Sequence, residues 1–351
     1  MTAPRAASPP PEVDLAGLAL VPRRSLLSPS SDAWFPLAPG DRPRVEPEQV
    51  VAAGDVLADR LREPRTLVLP RSAARDSAQP GEHWSARAGR RPRGGEPRPE
   101  GELLFRSGAR WRVAAGERFE ALEAPFAGVV QDVRPGIGIR VTSDTRAIAG
   151  ADVLAGPTAG RLQIVASADG ELRAQHVDVG TAGAIIVAGA RMDAEALARA
   201  RAVGIRGVIV AGLGIKERRD FLASERRGRA AVHGLPRFGI LVLEGAARRP
   251  ISAAHMALFE ALEGRPAAIV GRPPCLVVDD GGLDLPLPPV DAVRVRSGPL
   301  VGAEGRWVGL AGPRRFPAGV TVESAFVRFG DRAPIAVPIG DLERFTEAGS
   351  A

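Results

Sequence analysis

The sequence predicts a modular chain of mixed class, α/β plus β, with a β-rich N-terminal region, a central α/β domain and a β-rich C-terminal region. Three observations carry this. Short apolar runs bounded by Gly, Pro and Asp recur over roughly the first 180 residues, as strands require. From 183 to 285 strand-like runs alternate with helical patterns, the order of a parallel sheet covered on both faces. Beyond the Pro-rich stretch 286–289, short alternating runs return.

A chain of 351 residues is long enough for two or three domains, each with its own core. Aromatic residues make up only 4% and Tyr is absent, so Ala, Val, Leu and Ile must build those cores. Of 47 basic residues only Lys216 is lysine, and the net charge is +6. A charge of that size spread over this length attracts anionic partners only where it is locally concentrated. The single Cys275 excludes an intrachain disulfide and a cysteine-built zinc site, which fits a reducing cytoplasm. No run approaches the roughly 20 apolar residues of a membrane span, and the Ala/Pro-rich start lacks the apolar core of a secretory signal.

The first region is expected over 13–182. Its clearest local pattern is Val50-Val51-Ala52-Ala53-Gly54-Asp55-Val56-Leu57-Ala58, two short strands about a Gly-Asp turn. The stretch 71–101 is Arg/Pro/Gly/Ser-rich, with almost nothing to bury, and reads as a disordered basic insertion. A strand pattern then resumes at Trp111, followed by Ala124-Pro125-Phe126-Ala127-Gly128-Val129-Val130 and, after a Pro-Gly turn, Ile137, Ile139 and Val141.

The central domain is expected over 183–285. Ala184 to Ala188 is an apolar run ended by Gly189, and Asp193 can cap a helix that runs to Gly204. Buried strands follow at 207–211, 239–243 and 267–270, with helices from about 216 to 224 and from the Ser252 cap to 262. All the strands read as parallel.

The C-terminal region is expected over 290–345. Val293-Arg294-Val295-Arg296 alternates, and Ser297-Gly298-Pro299-Leu300-Val301-Gly302 makes a turn into a second strand through Trp307. Strands at 320–329 and 333–338 complete it.

Two of these patterns resemble known domains. Gly54-Asp55-Val56-Leu57-Ala58 with Ala124-Pro125-Phe126-Ala127-Gly128-Val129-Val130 resembles the two halves of a barrel-sandwich hybrid, the fold of biotinyl and lipoyl carriers. That resemblance implies a split barrel-sandwich interrupted by the basic insertion. A carrier requires a lysine at a hairpin tip; none occurs there, so no biotin or lipoate cofactor is expected. The stretch from Val293 to Val308 resembles a KOW motif, the opening hairpin of SH3-like barrels in NusG and several ribosomal proteins. It implies a C-terminal SH3-like barrel. The whole order is similar to uncharacterised bacterial proteins that combine these modules.

Two sets of candidate residues follow. In the α/β domain, Gly189, Arg191, Gly212, Gly214 and Lys216 follow the C-terminal ends of predicted parallel strands, where open sheets bind ligands and helix N-termini favour anions. The preferred reading of the same loops is as ordinary connections carrying a solvated lysine. In the C-terminal region, Arg294 and Arg296 alternate with buried valines and so share the outer face. With Arg306, Arg314 and Arg315 they form candidate phosphate contacts. The four histidines are scattered, no metal site is expected, and no Ser or Cys nucleophile signature is present. The sequence therefore favours a non-enzymatic binding or scaffold protein that recognises a protein complex or RNA. The alternative is an enzyme or sensor holding an anionic metabolite or nucleotide in the α/β crevice.

Overall fold

The computed structural model describes residues 15–38, 40–62, 66–68, 83–85, 100–107, 110–114, 118–231, 237–246 and 249–347. The chain divides into two compact units, one of Met1–Trp34 with Thr142–Ala351 and one of Phe35–Val141. It is a mixed α/β chain dominated by strands, and no helix among the described residues is long and apolar enough to cross a membrane.

The larger unit is built on one mixed sheet of fourteen strands. Its α/β part places Thr158–Ile164, Ala184–Val187, Gly207–Gly212 and Gly239–Gly245 side by side and parallel. The helices α1 (Ala194–Val203) and α2 (Ile215–Ala231) connect consecutive strands, and α3 (Ala253–Ala261) follows the last of them. The last three of these strands are buried almost throughout because each face is covered. Ile186, Val208, Val210 and Ile240 pack with Ala196 and Ala200 of α1 and Phe221 of α2. The alternate residues Ile185, Val187, Ile209 and Leu241 pack with Leu258 and Phe259 of α3. A strand period of two thus delivers one run of sequence to two cores.

The helix ends are set locally. Asp193 accepts the Ala196 N–H at 2.5 Å to start α1, and Gly204, at φ 92°, ends it in the left-handed conformation that glycine adopts most easily. Ser252 caps α3 by accepting the His255 N–H at 3.1 Å.

Two expectations need correction. Pro266–Gly271 is antiparallel, paired with Thr158–Ile164 on one side and Pro274–Val278 on the other. The fourth parallel strand is instead Thr158–Ile164, which precedes the run at 184–187 and pairs with it. α2 is also longer than its apolar pattern indicates, reaching Ala231.

Beyond Pro274–Val278 the sheet continues through Ala147–Ala149, Arg23–Ser28 and Leu342–Glu347. The last of these adjoins Ala292–Val295, Glu304–Arg315, Thr321–Arg328 and Ile335–Pro338, all antiparallel neighbours. Val293, Val295, Trp307, Ala325, Val327 and Leu342 form their core, joined by Leu18 and Val21 from the chain's N-terminal side. The order is open, with Ile335–Pro338 at its end.

In the smaller unit, Val56–Arg62 pairs antiparallel with Arg118–Glu123, and Val50–Val51 pairs antiparallel with Gly128–Arg134. The Gly54 N–H donates to Ala124 O and the Ala124 N–H to Asp55 O, each at 2.8 Å, which ties the Gly-Asp turn to the second segment. Leu57, Leu122, Phe126, Val130 and Ile139 are buried in this unit. Of the basic insertion, most lies outside the described residues; His83–Ser85 within it is a strand, paired antiparallel with the start of Glu100–Ser107.

Candidate functional site

Three of the five α/β candidates come together. Arg191, Gly212 and Gly214 line a cleft of about 140 Å³ with Met192, Leu213 and Glu217. Gly189 and Lys216 are not on its wall. Gly189 is buried at φ 80°, and a Cβ there would lie 2.5 Å from Ser167 O and 2.6 Å from Gly170 O, so the glycine serves a close backbone approach. Lys216 is exposed on the first turn of α2.

The cleft is also occupied electrostatically by the protein itself. Arg191 Nε lies 3.0 Å from Glu171 Oε1. Glu217 turns back over the N-terminus of α2, so close to Gly214 that a Cβ there would sit 2.2 Å from Oε2. A carboxylate at this position takes the place that a bound anion would use at a helix N-terminus. Of the five candidates, three thus line one small cleft, in which Arg191 is already paired with Glu171.

The C-terminal arginines separate in the same way. Arg294 is only 2% exposed and does not share the outer face with Arg296; this corrects the strand-alternation reading. The reason is tertiary: the side of its strand that alternation assigns to solvent is covered by Glu244 of the α/β sheet. Arg294 donates from Nη1 and Nη2 to both Glu244 carboxylate oxygens at 2.7 Å, and from Nε to Glu343 Oε1 at 2.8 Å. Glu343 is its cross-strand partner in register. Arg24 adds a contact to Glu244 Oε2 at 2.7 Å. Two positive and two negative groups thus neutralise one another. Burial would push the Glu244 carboxyl up, but Arg294 and Arg24 outweigh it and hold it down at about 2.

His255 lies beside this quartet, fully buried, with Nδ1 2.7 Å from Ser252 Oγ and its ring edge-on to Phe345. Burial pushes its pKa down to about 4 against the pull of Glu244, so the imidazole is neutral at pH 7. The Ser–His contact is a helix cap and not a nucleophile pair: Ser252 is 2% exposed and no substrate atom can reach it. Burial likewise pushes the Cys275 thiol up to about 12, which keeps it protonated and unreactive at neutral pH. Among the described residues, no group of three or more His, Cys, Asp or Glu is placed to hold a metal ion.

Arg296, Arg306, Arg314 and Arg315 are exposed. The pairing of Glu304–Arg315 with Thr321–Arg328 adds a residue that sequence reasoning missed: Arg328 lies directly opposite Arg306. Phe326, two residues from Arg328 and so on the same face, carries the Arg314 guanidinium 5.6 Å from its ring centre. Like charges directly opposite on a sheet repel. Arg306 has Asp291 at 3.9 Å; among the described residues no carboxylate is within ion-pair distance of Arg296, Arg315 or Arg328. Only the register reveals this pair, since 22 positions separate the two arginines. No protein-family model and no curated protein matches the chain.

Proposed function

We propose that the protein is a non-enzymatic recognition scaffold whose C-terminal strands, read as a KOW-like SH3 module, bind RNA. The observation that carries this reading is the exposed cross-strand pair Arg306 and Arg328, set beside a ring already stacked by Arg314. An anionic backbone relieves the repulsion between the two arginines, and Phe326 offers a base a stacking face. Arg296 and Arg315 widen the basic surface.

The Phe35–Val141 unit is read as the non-carrier barrel-sandwich platform of this scaffold. The antiparallel pairing of its two sequence halves supports that reading, as does the absence of lysine from the segment. The α/β crevice supports an enzyme or metabolite sensor less well, because Glu171 already pairs with Arg191 and Glu217 lies against Gly214 at the start of α2.

The test is a titration of a labelled single-stranded RNA with the full chain between about 50 and 200 mM salt. Log K is expected to fall linearly with log salt, and Arg328→Ala to reduce the slope by about 1. A flat plot, or a slope that Arg328→Ala leaves unchanged, refutes RNA binding at this face.

A further inference from the structure

Helix α3 presents Ala253, Ala257 and Glu260 at positions i, i+4 and i+7, which share one side of the helix. Two cavities flank that side. One, of about 270 Å³, is walled by Ala253, Ala257, Pro286, Pro289, Val293 and Phe345, all in the larger unit. The other, of about 610 Å³, shares Ala253, Ala257 and Glu304 and adds Met256 and Glu260. Ala253, Ala257 and Glu304 line both, so the two cavities adjoin along α3 and are treated together as one groove. Leu287 in its wall is 46% exposed, and Val301, next to the lining residue Gly302, is 42% exposed, so the apolar surface extends past the rim.

Among the described residues that line this groove, the charges left without a counter-ion are acidic. Arg294 reaches its floor, but Glu244 and Glu343 already neutralise that arginine. Glu304 accepts the Ala253 N–H at 3.0 and 3.1 Å, and among the described residues no cation lies within ion-pair distance of it. Burial raises its pKa and the nearby Glu244 adds to the rise, with the Ala253 N–H and Arg294 working against it. Glu260 is exposed at the opposite end. An acidic rim repels nucleic acid, so the groove is not a continuation of the RNA face.

We propose that this groove binds a short apolar peptide segment carrying a basic side chain, which Glu304 receives. The span from Ala253 to Glu260 is about 10 Å along the helix, the length of roughly three extended residues. Apolar side chains of the segment fill the space between the Pro286–Pro289 wall and α3, and its cation meets the carboxylate. A peptide, unlike a small amine, uses both flanks of α3. The reading goes beyond RNA recognition and does not depend on it.

The experiment titrates the full chain with three labelled peptides, identical in their leucines and alanines but with a central Lys, Gln or Glu, and follows fluorescence anisotropy. The Lys peptide is expected to bind about tenfold or more tighter than the Glu peptide, the effect of one unmatched charge pair. Glu304→Gln retains an acceptor for the Ala253 N–H and is expected to abolish that preference. Ala257→Trp fills the groove and is expected to abolish binding, with the thermal midpoint reported alongside. Glu260→Arg at an exposed position gives a second test that leaves the packing untouched, and is expected to weaken the Lys peptide selectively. The proposal is overturned if none of the peptides binds, if all three bind equally, or if the Lys preference survives Glu304→Gln. Binding of hexylamine without binding of any peptide also overturns it, in favour of a small-amine site.

Discussion

Replacing Arg294 with methionine removes the centre of the buried quartet while keeping a side chain of similar length and flexibility. Arg294 is 2% exposed and the Glu244 side chain 0%, so Glu244 cannot recruit water without rearrangement. The variant loses both hydrogen bonds to Glu244 and those to Glu343, and leaves Glu244 with Arg24 alone at 2.7 Å. Removing one partner of a buried ion pair costs about 3–5 kcal/mol. The surviving Arg24 contact places the expected loss at the lower end, about 3 kcal/mol at pH 7. Urea denaturation followed by circular dichroism measures it. The pH dependence is a stricter check. With Arg294 present, Glu244 titrates at about 2 and so favours the folded state at all pH values above its ordinary 4.5, an advantage that fades as pH falls from 4.5 to 2. Without Arg294 that advantage largely vanishes, so the difference between the two proteins should shrink below pH 4.5. A loss under about 1 kcal/mol, or one that is the same at pH 7 and pH 3, would refute the assignment of the quartet as a buried clamp.

Two further outcomes are expected. His255 is held near 4 against an ordinary 6.5, so its contribution is complete above 6.5 and is lost as pH falls towards 4; at about 1.4 kcal/mol per unit this is about 3 kcal/mol. His255→Phe should flatten the melting temperature against pH in that window, and an unchanged profile would contradict a neutral buried imidazole. Gly189→Ala introduces a Cβ 2.5 Å from Ser167 O at a backbone φ of 80°, and should cost at least about 2 kcal/mol in chemical denaturation. A near-neutral result would show that the 167–170 loop yields easily.

The features that were legible in advance are those fixed by neighbours along the chain. Asp193 and Ser252 cap their helices because a side-chain oxygen three residues upstream of a free N–H needs no distant partner. The runs at 184–188, 207–211 and 239–243 read as buried strands because an unbroken apolar stretch has no face to give to water. The Gly-Asp turn and the segment around 124–130 were legible as strand-and-turn patterns, and the structure pairs the strands beside them. The candidate sites were less so. Glycines after parallel strands announce a crevice, but not that Glu171 already pairs with Arg191 or that Glu217 lies against Gly214. Carboxylates in other segments leave no mark on the motif they neutralise.

Sequence by itself determined the class, the N-caps of α1 and α3 and the alternation that feeds two cores, since each depends on period and on neighbours within a few residues. Tertiary structure alone decided the direction of Pro266–Gly271, the burial of Arg294 and the meeting of Arg306 with Arg328. Strand direction is set by which edge is available when the chain returns, and alternation names a face without saying what covers it. Arg294 and Arg296 differ for that reason: Glu244, fifty residues upstream, reaches only the first of them.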